Sequence, residues 1–299
     1  MLYRKIISIG VVLAIGTFAF AQSEFTNKDY NRHIELIKKR DVNISDINKT
    51  VILSKPFVII TDINTSSIRD ETEEIVQLSI KTFKGLFFKN NPKNITDIWI
   101  LKDRESYIKF NHAFLNSTGR DDVAGYYMRD KNALVLDITT GIGTIIHEMV
   151  HSFMDNNFPN APAWFEEGLA SLYEGTISTD DGLVGDLNWR LPLLKETIRA
   201  DKLKSFKLLS DTNTSEFYDD NSIAINYAQS RYLFYYLQEK GLLLEYYNTA
   251  LANIKDDPTC YKSLQKVLKS KDMEKFTQEW KDYILGLENW MHYVERMSL

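Results

Sequence analysis

Residues 143–153, Gly-Thr-Ile-Ile-His-Glu-Met-Val-His-Ser-Phe, constrain this chain most tightly. Ile145, Ile146, Met149, Val150 and Phe153 surround two histidines, so a helix here is buried on most of its sides. His147 and His151 are four apart, which stacks their rings on one face. Buried imidazoles need partners, and two ring nitrogens aimed at one point can hold zinc at about 2.0–2.1 Å. Glu148 lies about 100° round the helix from His147, poorly placed for the same ion but able to reach a water bound to it. The spacing separates two roles, metal ligands and a general base. The competing reading is two satisfied histidines that happen to share a helix face.

A catalytic zinc usually takes three protein ligands and a water. Residues 161–175, Ala-Pro-Ala-Trp-Phe-Glu-Glu-Gly-Leu-Ala-Ser-Leu-Tyr-Glu-Gly, offer carboxylates on a second helix. Glu167 and Glu174 are seven apart and share a face, whereas Glu166 is turned away from them. One carboxylate could complete the zinc shell, and the other could hydrogen-bond a ligand histidine from behind. Taken alone, the run reads as the acidic start of a solvated helix.

His147-Glu148-Met149-Val150-His151 followed by Trp164-Phe165-Glu166-Glu167-Gly168-Leu169-Ala170 resembles the gluzincin metallopeptidases, the thermolysin-like and aminopeptidase-like zinc enzymes. The resemblance implies one zinc per chain, held by His147, His151 and Glu167, with Glu148 as base and Glu174 as supporting carboxylate. Asn226 to Leu237, Asn-Tyr-Ala-Gln-Ser-Arg-Tyr-Leu-Phe-Tyr-Tyr-Leu, is similar to the family's tyrosine helix. That similarity implies that Tyr227 stabilises the oxyanion. The stretch Ala-Leu-Val-Leu-Asp-Ile before the first helix resembles the family's edge strand, along which a peptide or protein substrate lies. The match runs roughly over residues 50–240 and is best from 125 to 237. It fits the small exported bacterial peptidase-MA-like group, and no Gly-x-Met-Glu-Asn motif for a free amino terminus is present.

The expected fold is α+β, a thermolysin-like catalytic domain. Residues 50–156 form an α/β subdomain with a mixed sheet that ends in the His-Glu-x-x-His helix. Residues 157–299 form an all-helical subdomain that carries the third ligand. Residues 22–49 are a lead-in with a short helix. Residues 1–21 read as a secretory signal peptide: Arg4 and Lys5, an apolar run from Ile6, then Ala19-Phe20-Ala21. The run is shorter than the roughly 20 residues that span a bilayer. An exported protein without a membrane span after cleavage is therefore expected.

Composition limits the alternatives. A net charge of −5 with no basic cluster gives nucleic acid nothing to grip. Cys260 is the single cysteine, so stability in an oxidising compartment must come from the core, and from a metal if one binds, rather than from disulfides. No Gly-x-Ser-x-Gly motif is present, and Cys260 has no nucleophile motif around it. Two other functions remain open: a catalytically silent peptide- or partner-binding module on the same fold, and a zinc amidase acting on cell-wall peptides.

Overall fold

The computed structural model describes residues 25–39, 49–115, 121–288 and 290. The expected signal peptide, residues 1–21, lies outside them. The fold is a mixed α+β one. Five strands form one sheet: β1 (Thr50–Ser54), β2 (Phe57–Thr61), β3 (Thr96–Leu101), β4 (Gly125–Met128) and β5 (Ala133–Asp137), in the order β1-β2-β3-β5-β4. The central three are parallel, and β1 and β4 run antiparallel at the edges.

Unbroken apolar runs mark strands covered on both faces. Phe57, Ile59, Ile98, Ile100, Leu134 and Leu136 enter the main core, and the alternate residues Val58, Ile60, Trp99, Leu101 and Val135 enter a second cluster. That second cluster is closed by α1 (Asn27–Lys39) through Tyr30 and Ile37, and by α3 (Arg104–Leu115) through Tyr107 and Phe110. The short lead-in helix is thus part of the fold, and His33 pairs with the buried Asp97 at 2.7 Å. On the other face lie α2 (Ser66–Leu86) and α4 (Ile142–Asn157).

After α4 come α5 (Ala163–Tyr173), β6 (Thr176–Thr179), β7 (Gly182–Gly185), α6 (Leu191–Arg199), α7 (Phe206–Ser210) and α8 (Thr214–Phe217). The chain continues through α9 (Ile223–Glu239), α10 (Leu243–Asn253), α11 (Tyr261–Leu268) and α12 (Met273–Gly286). Two expectations are corrected here. The second half is not all-helical, because β6 and β7 form an antiparallel hairpin. Gly182, at φ +128°, allows its turn, and the Leu183 amide bonds the Thr82 hydroxyl of α2 at 2.9 Å. The strand Ala133–Asp137 is also not an edge. It pairs with β3 on one side and β4 on the other, so β4 is the edge.

Two glycines let α5 pack closely against α4 and α9. A Cβ on Gly143, in the first turn of α4, would stand 2.0 Å from the Glu174 carbonyl oxygen at the end of α5. A Cβ on Gly168 would stand 2.7 Å from the Phe234 ring of α9. Behind α4, Phe153 meets Phe57, Phe83 and Phe88 at ring-centroid distances of 5.8, 6.1 and 5.2 Å.

Candidate metal centre

α4 presents His147 and His151 on one face, and α5 brings Glu167 against them. Their ligand atoms form a triangle. The two Nε2 atoms are 3.3 Å apart, and Glu167 Oε2 lies 3.3 Å from His147 Nε2 and 3.6 Å from His151 Nε2. Ligands placed tetrahedrally about zinc at about 2.1 Å stand about 3.4 Å from one another. The triangle therefore has the dimensions of one face of a zinc tetrahedron. Glu167 Oε2 is buried and makes no hydrogen bond, a costly state for a carboxylate oxygen unless a cation sits beside it. His147, His151 and Glu167 fit a metal ion on both counts.

The electrostatics point the same way. Burial would lower the His151 pKa, yet the Glu167, Glu166 and Glu148 carboxylates lift it to about 10. Burial likewise opposes His147, which Glu167 and Glu148 raise. Glu167 is drawn down to about 2 against its burial by the two histidines. The surrounding carboxylates thus call for positive charge at the ring nitrogens, and a dication can supply it where protons otherwise would. Burial pushes the Glu148 carboxyl up, with His147 and His151 opposing. A raised pKa suits a group that must accept a proton near neutral pH.

Glu166, turned away from Glu167 and Glu174 along α5, still reaches the site. Its Oε1 sits 2.8 Å from His151 Nδ1, so the two successive carboxylates of α5 take opposite nitrogens of one ring. Spacing along α5 sets the bearing of Glu166 relative to Glu167 and Glu174, but its bearing relative to α4 depends on how the helices cross. Arg129, just past β4, donates to the same Oε1 at 2.9 Å and pairs with Asp155 of α4 at 2.5 Å.

Glu174 does not hydrogen-bond a ligand histidine. It caps α5, and the Arg190 guanidinium takes its carboxylate through Nη2 at 2.9 Å and Nε at 3.2 Å. That forked grip offers more than a single imidazole N–H could. Glu174 still contributes at a distance to raising His147, whose Nδ1 is buried without a hydrogen-bond partner.

Tyr227, in the first turns of α9, lies parallel to the His147 ring at 6.4 Å, with the Arg190 guanidinium 4.9 Å from its ring centre. Burial foremost, then Glu167, pushes its pKa well up. It is therefore a neutral donor at any ordinary pH. Sequence reasoning missed Tyr218, whose hydroxyl donates to Glu167 Oε1 at 2.5 Å. It missed Arg129 as well. No spacing pattern marks either residue, because each reaches the site from a separate turn.

His147, Glu148, His151, Glu167, Tyr218 and Tyr227, with Gly125 to Tyr127 of β4, line a cleft of about 500 Å³. No protein-family model matches the chain, and no curated protein matches it. Among solved structures, yeast LTA4 hydrolase in complex with Bestatin aligns at 15% identity with a TM-score of 0.42. The alignment covers 76% of this chain and 38% of that one, so this chain spans well under half its length.

Proposed function

We propose that the chain is a zinc-dependent metallopeptidase of the gluzincin type, exported, and active on peptide bonds. The observation that carries this reading is the triangle of His147, His151 and Glu167 with Glu148 buried beside it at the floor of the cleft. Zinc, when bound, supplies a water with a pKa near 7 and an electrophile for the carbonyl.

The residues of the chain do the rest. The outer edge of β4 offers backbone groups to an extended peptide and lays its carbonyl across the cleft. Glu148 takes the water proton and delivers it to the leaving nitrogen. Tyr227 donates its hydroxyl hydrogen bond to the carbonyl oxygen as negative charge builds there. Glu166 fixes the His151 ring from behind, as carboxylates commonly do for metal-bound imidazoles. A silent binding module has no chemical use for Glu148. A cell-wall amidase would use the same machinery, and the open β4 edge favours an extended peptide.

The test is zinc per chain in the purified protein beside Glu167→Gln, with hydrolysis of a fluorogenic peptide library by the parent and Glu148→Gln. About one zinc in the parent, weak retention in Glu167→Gln, and cleavage lost in a Glu148→Gln protein that keeps its zinc support the reading. A parent that refuses zinc, or a Glu148→Gln variant that cleaves at the parent rate, overturns it.

A further inference from the structure

The two oxygens of Glu167 have different surroundings. Oε2 forms the triangle with the histidines. Oε1 accepts the hydroxyl of Tyr218. Glu167 is buried, so a turn of its carboxylate that brought Oε1 toward the histidines would break the bond that Tyr218 makes to it. Tyr218 is itself constrained: it follows α8, meets the Phe217 ring edge-on at 5.3 Å and lies 6.3 Å from Tyr227. The α8 turn before it is closed by a capping box between Asn213 and Glu216.

We propose that Tyr218 is a positioning residue that holds Glu167 as a one-oxygen metal ligand. A carboxylate free to turn can offer both oxygens, which fills a position that the attacking water needs. With one oxygen engaged by a phenol and the other turned to the histidines, Glu167 would offer a metal a single oxygen and leave room for a water. Partners of this kind typically change metal affinity about 10–100-fold when removed. The inference rests on the metal site of the proposed function, not on its peptidase activity.

The experiment compares the full chain with Tyr218→Phe, which keeps the ring and its packing and removes only the hydroxyl. Zinc affinity is measured by competition with a chromogenic chelator, and the cobalt(II)-loaded proteins are compared by visible absorption, which weakens as coordination rises above four. Circular dichroism of the metal-free proteins checks that both are folded. We expect zinc bound about 10–100-fold more weakly by the variant, together with a fainter cobalt band. Equal affinity and an unchanged cobalt spectrum overturn the role of Tyr218 while leaving the metal site standing. A parent that binds neither metal overturns both. Metal binding that depends on Tyr218 in a protein that cleaves no peptide sinks the peptidase reading alone.

Discussion

Gly143→Ala sets two effects of opposite sign against each other. Gly143 lies inside α4, and an alanine in a helix is worth about 1 kcal/mol over glycine on propensity alone. Counted that way, the substitution stabilises. The surroundings oppose it. The new Cβ would stand 2.0 Å from the Glu174 carbonyl oxygen, against about 3.4 Å for ordinary contact, so α4 and the end of α5 must part by about 1.4 Å. The obstacle is backbone and cannot turn aside as a side chain could. Forced overpacking of this kind costs about 1–3 kcal/mol, which meets or exceeds the propensity gain of about 1 kcal/mol, for a net loss of up to about 2 kcal/mol.

The second consequence is larger in its effect on the metal. α4 carries both histidines and α5 carries Glu167, and their ligand atoms are spaced at 3.3–3.6 Å. Sites tolerate about 0.5 Å of misplacement. Zinc affinity therefore falls more steeply than stability does. Urea unfolding with chelator present reads the first quantity, and chelator competition reads the second. A Gly143→Ala protein that is more stable than the parent and holds zinc equally well would refute the close approach.

Three further outcomes follow from the geometry. Arg231 is fully buried and donates through Nε to the Ser171 carbonyl at 2.9 Å and through Nη2 to Asp186 O; Arg231→Ala orphans those carbonyls and should cost about 3 kcal/mol in urea unfolding, and a loss under about 0.5 kcal/mol would contradict that role. Asp103 caps α3 by accepting the Ser106 amide at 2.8 Å, and that bond lowers its pKa. Its contribution is therefore present above the usual carboxylate range and lost as pH falls through the folded value, so Asp103→Ala should cost about 1 kcal/mol at pH 7 and progressively less in acid; a pH-independent difference would exclude this origin. Zinc at a hundred times its dissociation constant should raise stability by about 2.7 kcal/mol over the chelated protein, and identical thermal midpoints with and without zinc would rule out a native-state metal site.

The parts of the fold fixed by local pattern were legible, and those fixed by tertiary placement were not. The i, i+4 histidines within an apolar helix marked His147 and His151, and the resemblance to gluzincins implied Glu167 as their partner; the three do come together. Strand pairing was another matter. Ala133–Asp137 reads as a strand, but whether it ends the sheet depends on β3 choosing β5 as its neighbour and β4 pairing beyond it. The hairpin of β6 and β7 was not legible within the expected all-helical half, since Ser178, Asp180 and Asp181 carry no apolar alternation and its anchor is the distant Thr82. Glu166 and Tyr218 were invisible for a related reason. A helical wheel gives bearings about one axis, and both contacts depend on how separate segments cross.

The aromatic rings behind α4 have a thermodynamic consequence. Phe153 is wedged among Phe57, Phe83 and Phe88, and its helix cannot rotate without disturbing the main core. The histidines thus lose their freedom when the chain folds rather than when an ion arrives. Little conformational entropy is left to lose at the binding step. The apo chain should accordingly keep its secondary structure in chelator, unlike small zinc modules in which binding and folding are one event. The hydrophobic core, assembled from residues with no role in chemistry, would thus contribute to how tightly an ion is held.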